Sequence, residues 1–99
     1  MQRRPETVEL GDLQVRLGAR EVLAAGETVE LTAREFDLLA YLLDNKGLVL
    51  NRRQLLEGVW GHGWFGDKRT VDVHVAQLRK KLSPHLPLTT VWGVGYRLG

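Results

Sequence analysis

The spacing of apolar residues changes at Leu31, and this change restricts the possible folds more than composition does. Before it, the runs TVEL, LQVRL, REVLA and a second TVEL alternate apolar with polar residues, and Gly11-Asp12, Gly18 and Ala25-Gly26 separate them. That is the pattern of an antiparallel meander with one wet face. The pentapeptide ETVEL occurs at residues 6–10 and again at 27–31; it is too short to be a structural repeat and reads as two strands meeting one alternation requirement. From Leu31 onward the spacing becomes helical. In LTAREF, Thr32 caps a helix, Glu35 reaches back to the cap amide and Leu31 packs on Phe36.

LNRRQL, residues 50–55, repeats the design with Asn51 as cap, Gln54 as its reciprocal partner and Leu50 against Leu55. The first helix is expected over about 33–46, with Gly47 closing it in the left-handed conformation and Phe36, Leu38, Leu39, Leu42 and Leu43 making it the central helix. The second, over about 52–58, is short because Gly58, Gly61, Gly63 and Gly66 break up the segment GVWGHGWFGD. A third is expected over about 68–82, with Asp67 placed to cap it and Pro84 disfavouring helical geometry at Ser83. LTTVWGVGYRLG then reads as a hairpin over about 88–98. If Gly93-Val94-Gly95 closes that hairpin, Trp92 faces Tyr96.

The third segment, RTVDVHVAQLRKKL, satisfies two periods. Val71, Val73 and Val75 alternate as in a strand, whereas Val71, Val75, Leu78 and Leu82 recur as one helix face. The helical pattern persists for three turns and the alternation stops at Val75, so the helix is preferred. Its outer side then carries Arg69, Val73, Ala76, Gln77 and Lys80, with Thr70 and Asp72 at the edges, and neither His74 nor Arg79 joins the buried stripe. Cations, an amide, a small alanine and a valine methyl are groups a DNA major groove can use. The bland alternative is that Val73 packs elsewhere and the charges solvate the helix, since single exposed apolar residues are ordinary.

Charge divides unevenly. Residues 1–50 hold six Lys/Arg against nine Asp/Glu, a net −3, and residues 51–99 hold eight against three, a net +5. One basic face toward a polyanion fits this asymmetry, and so does a solvated surface. Arg52, Arg53, Lys68 and Arg69 stand in the opening turns of two helices, where the macrodipole disfavours a cation by roughly 0.3–1 kcal/mol unless an anion such as phosphate arrives. Arg34 holds the same position in the first helix with no evident anion to meet.

Ninety-nine residues with 43% apolar content support one core. No cysteine is present, which fits a reducing, cytoplasmic setting, and the longest apolar stretch, LLAYLL, is far short of a membrane span. The charged start MQRRP has no apolar run behind it, and residues 1–7 read as a linker stub before a domain over 8–99. An enzyme is disfavoured. His62, His74 and His85 lie in different elements without metal-ligand spacing, and no nucleophilic triad, phosphate loop or dinucleotide fingerprint is evident, so neither cofactor nor metal is expected.

LTAREFDLLAYLLDNKGLVLNRRQLLEGVW, followed by GDKRTVDVHVAQLRKKL and TVWGVGYRL, resembles the OmpR/PhoB-type winged-helix domain, the DNA-binding output half of two-component response regulators. The likeness spans about Val8 to Leu98. It implies an α+β winged helix-turn-helix: an N-terminal four-stranded antiparallel sheet, three helices and a C-terminal hairpin wing, with the third helix reading the major groove. Carried over by position, Arg69, His74 and Arg79 meet the DNA backbone, together with Trp60, Thr90 and Tyr96. Arg52, Arg53, Lys68 and Lys80 join them as cations, and Thr70, Val73, Ala76 and Gln77 face the bases.

The loop over 59–67, with His62, Trp64 and Phe65, corresponds to the one that in this family can contact RNA polymerase. Where relatives often place a minor-groove arginine this chain has Trp92, which either lies at the minor groove or only stabilises the wing against Tyr96 by roughly 0.2–1 kcal/mol, and Arg97, the nearby wing cation, inherits the groove role. Relatives often carry arginines at Ala76 and Gln77, and their absence here implies a weaker or A·T-leaning site. No acidic phosphoacceptor cluster precedes Val8, so the receiver domain and its phosphorelay switching are expected to lie outside this sequence. The resemblance also implies a head-to-tail pair on direct repeats about one helical turn apart. The rival of another class is a winged-helix domain that binds only protein.

Overall fold

A computed structural model describes residues 6–64 and 66–99. The elements run β1 (Thr7–Leu10), β2 (Leu13–Arg16), β3 (Glu21–Ala24), β4 (Glu27–Val29), α1 (Ala33–Asp44), β5 (Val49–Asn51), α2 (Arg52–Leu55), a π-helical turn (Leu56–Trp60), α3 (Arg69–Leu82), β6 (Leu88–Val91) and β7 (Gly95–Leu98). Thr7 already belongs to β1, and the stub residues 1–5 lie outside the described residues.

The first four strands form the expected antiparallel meander in the order β1-β2-β3-β4. Val8 pairs with Val15, Val15 with Val22 and Val22 with Val29, so one apolar row crosses the sheet. The two ETVEL copies supply its two edge strands, where each pairs on one side only. Leu10, Leu13, Val15 and Val22 turn this face into a single core shared with Phe36, Leu38, Leu39 and Leu42 of α1. As expected, α1 is the central helix, packing on α3, the π-helical turn and β7.

Both reciprocal caps form. Thr32 Oγ1 accepts from the Glu35 amide at 3.2 Å and Glu35 Oε1 from the Thr32 amide at 2.9 Å, while Asn51 and Gln54 exchange the equivalent bonds at 2.8 Å each. Three boundaries differ from expectation. α1 stops at Asp44, two residues early, through a turn in which Gly47 takes φ +88° and donates its N–H to Leu98 O at 2.7 Å. α2 has one regular turn and then widens, the Gly61 amide reaching Leu56 O at 3.1 Å across five residues, so the segment runs past 58 to Trp60. α3 begins at Arg69, whose amide donates to Asp67 Oδ1 at 2.9 Å.

The hairpin is part of a larger unit. β7 lies between β6 and β5 in a three-stranded antiparallel sheet. Strand β5 is not visible in the sequence, because LVLN holds three residues of strand running directly into a capped helix and gives no alternation to read. The wing turn also differs. Val91 pairs with Gly95 and Thr90 with Tyr96, so Trp92-Gly93-Val94 form the loop and Trp92 does not face Tyr96. Gly95 belongs to the strand because its backbone packs on that of Leu50 and Asn51, leaving no room for a side chain. The Val94 amide donates to Val91 O at 3.0 Å, with Gly93 at φ +78° completing the turn.

Candidate nucleic-acid interface

The two periods in RTVDVHVAQLRKKL resolve as the helix. Val71, Val75, Leu78 and Leu82 are each fully buried, whereas Val73 is 55% exposed. Around it Arg69, Ala76, Gln77 and Lys80 are turned to solvent to differing degrees and Thr70 is half-buried. One surface therefore carries two long cations, an amide and an apolar branch, held rigid by the stripe behind it.

The cations flanking this surface are arranged differently from one another. Lys68 and Arg53 are exposed, Arg53 lying 3.7 Å from Glu57. Arg69 is 85% exposed and holds Asp67 at 3.1 Å, and the amide bond and charge of Arg69 keep the Asp67 carboxyl below its ordinary range. Arg79, in contrast, is committed to the wing. Its Nη2 donates to Leu88 O and Thr90 Oγ1, both at 2.9 Å, so Thr90 and Arg79 are brought together.

Asp72 sits where α2, α3 and the wing meet. Its Oδ1 accepts from Arg52 Nε at 2.7 Å and from the Tyr96 hydroxyl at 2.6 Å. The guanidinium groups of Arg52 and Arg79 each lie 5.5 Å from the centroid of the Tyr96 ring, within cation–π range. Burial of the phenol, then the hydrogen bond to Asp72 and its charge, push the Tyr96 pKa up and keep the hydroxyl a donor. The Asp72 hydrogen bond raises that of Arg52. Sequence reasoning places Asp72 only at the edge of the outer face. Its partners lie 20 and 24 residues away, beyond any local period, and the one available signal is that a largely buried tyrosine needs a hydrogen-bond partner.

Trp60 and His74 meet edge to face, with ring centroids 4.9 Å apart, and His74 Nδ1 lies 2.8 Å from Thr70 O. Arg34, with no evident anion in the sequence, donates to Val59 O at 2.6 Å and lies over the Trp60 ring at 5.4 Å. It satisfies a carbonyl of the π-helical turn and flanks the Trp60 ring where that ring meets His74 of α3. His62 and Trp64 are exposed on the loop between α2 and α3, and Phe65 lies outside the described residues.

In the wing, Arg97 pairs across the sheet with Thr89 and Val49, on the face opposite Tyr96 and Leu98. Trp92, at the tip, is 89% exposed. A groove of about 640 Å³ separates α3 from the wing, with Ala76, Arg79, Lys80, Leu86 and Tyr96 among its walls. No group of three or more metal-ligating side chains occurs among the described residues.

Comparison with known proteins agrees with this geometry. Residues 26–98 match the family model described as "Transcriptional regulatory protein, C terminal". An uncharacterized transcriptional regulatory protein of Bacillus subtilis, YclJ, is 54% identical over 95 residues, covering 93% of this chain and 42% of YclJ. The chain thus spans about two fifths of the length of the curated relatives it matches. Among solved structures, the DNA-binding domain of Bacillus subtilis CssR is 42% identical with a TM-score of 0.80, covering 88% of this chain and 99% of that one. The Klebsiella pneumoniae RstA DNA-binding domain, solved in complex with the RstA box, is 32% identical with a TM-score of 0.84, covering 96% and 98%. With its meander, its reciprocally capped helices and a wing locked to α3, the chain belongs to the OmpR/PhoB family of winged-helix effector domains of transcriptional regulators.

Proposed function

We propose that this domain binds double-stranded DNA sequence-specifically as the effector part of a response regulator, with α3 in the major groove. The observation that carries this reading is the division of α3: a fully buried stripe fixes it, and its free face combines Arg69, Gln77 and Lys80 with an exposed Val73. Thr70, Val73, Ala76 and Gln77 read base edges. Arg53, Trp60, Lys68, Arg69, His74 and Lys80 supply backbone contacts. Arg52, Arg79, Thr90 and Tyr96 are backbone partners by sequence position; their mutual bonds fit them better for holding the wing against α3, with phosphate contact a secondary task.

The loop carrying His62 and Trp64 is exposed and suited to RNA polymerase. A receiver domain on the same polypeptide, head-to-tail pairing on direct repeats and a cytoplasmic site of action complete the proposal. No helix among the described residues is long and apolar enough to cross a membrane.

Selection of bound duplexes from a random pool, with affinities read at two salt concentrations, tests the function. A preferred motif and a log-affinity slope of about −0.9 per phosphate neutralised are expected. Val73→Ala or Gln77→Ala should alter the selected motif. A flat salt response with no motif would instead favour a winged helix that binds only protein.

A further inference from the structure

Trp92 is the most exposed large apolar side chain among the described residues, at 89%, and Val94 beside it is 50% exposed. Between Val91 and Gly95 the tip carries no charge. An apolar tip of this kind would gain little on a mobile hairpin, since ordering it would cost entropy. This hairpin is already ordered. Tyr96 is tied to Asp72, Thr90 and Leu88 to Arg79, and Gly95 to β5, so the last paired residues before the tip are anchored on α3 and β5 together. Leu88 lies beside Arg79 and Tyr96 beside Asp72. From Leu88 to Val91, β6 therefore passes from the level of Arg79 toward that of Asp72, and the tip follows on the side of the first turns of α3.

Resting on the DNA reading above, we propose that Trp92, with Val94, is a wedge that reads the deformability of the minor groove flanking the α3 site. A cation at a wing tip gains most where the groove is narrow and strongly negative, as over A-tracts. An indole gains nothing from that potential. It gains by stacking against an opened base step or burying its ring against sugars, and the steps that open most readily are the pyrimidine–purine steps TA and CA/TG. Trp92 therefore selects a flexible flank, the opposite of what an arginine there would select. Arg97 sits on the far face of β7 and pairs with Thr89 and Val49, which leaves the indole as the leading group of the wing.

The test uses two duplexes that share the selected α3 site and differ only in the wing-side flank, located by footprinting: one flank contains TpA or CpA steps, the other an A-tract. The chain is expected to bind the flexible flank about fivefold or more tightly. Trp92→Ala should lose about 5- to 160-fold on the flexible duplex, the range for removing one aromatic–base stack, and so abolish the preference. Trp92→Phe should keep the preference in part, and Trp92→Arg should turn it toward the A-tract. Melting temperatures should not change, because the side chain is almost wholly exposed. Affinity of Trp92→Ala within twofold of the parent chain on both duplexes, or an A-tract preference in the parent chain, would overturn the wedge. If the salt slope and selected motif persist in that case, DNA binding stands without it; if the parent chain shows neither, both readings fall.

Discussion

At Gly95 a single hydrogen atom separates a closed sheet from a broken one. A Cβ there would overlap the carbonyl oxygen of Leu50 and lie 2.8 Å from Asn51 Cα, both backbone atoms that cannot rotate away. Gly95→Ala should therefore part β5 from β7 and destabilise the domain by roughly 1–3 kcal/mol, the usual range for overpacking. For a chain of this size that is a fall of at least several degrees in the melting temperature. An unchanged melt would mean that the wing sheet does not close on β5. Single residues differ in how well the sequence announces them. Val73 is legible, because breaking the helical stripe while keeping the strand-like alternation leaves one valine without a place in the core. Trp92 is legible as a departure from the family pattern but misplaced in register, since GVG reads as a loop unless the approach of Leu50 to Gly95 is known. Asp72 is not legible as an organiser, because it depends on Arg52 and Tyr96 arriving from separate elements.

Among the elements, α1 and α3 are joined at one buried charge. Glu35 is 4% exposed, yet it completes the cap of α1 and accepts from Lys81 Nζ at 2.6 Å near the end of α3. Burial by itself would raise its pKa. The hydrogen bond and charge of Lys81, with the amide and hydroxyl of Thr32, outweigh that and hold it below the ordinary 4.5. A carboxyl lowered in the folded state stabilises fully above its unfolded value, and that contribution is lost as pH falls through the folded one. Stability should thus decline below about pH 4.5, and Glu35→Gln should flatten that part of the profile. Lys81→Met should lower stability at neutral pH by about 1.5–3 kcal/mol, the range for hydrogen bonds to charged groups. Chemical denaturation of the three proteins between pH 3 and 7 reads both effects. An acid limb equally steep in Glu35→Gln would assign the loss to other carboxylates. The capping motif is visible in LTAREF because its partners are three residues apart; Lys81, 46 residues on, is not.

Across the whole molecule, the net +5 of the second half is unevenly available. Arg52 and Arg79 are turned inward to the wing, whereas Arg53, Lys68, Arg69 and Lys80 face solvent. Arg69→Ala should weaken binding to all duplexes alike and reduce the magnitude of the salt slope by about one. Arg79→Ala should reduce it less while loosening the wing. Equal slopes for Arg69→Ala and the parent chain would remove Arg69 from the backbone contacts. Apart from β5, the strand and helix order is readable, since each period is local; the union of β5 with the hairpin is not, since it joins residues 44 to 48 apart in the chain. That union also fixes an order of events during synthesis. β7 is the middle strand of its sheet and the last described strand to be made, so β5 must wait for it through the whole of α2 and α3. Closing so long a loop is entropically costly before its contacts form. Until Tyr96 reaches Asp72, a nascent chain can have a complete α3 with no wing set against it, and the two-groove binding proposed above requires this last described strand.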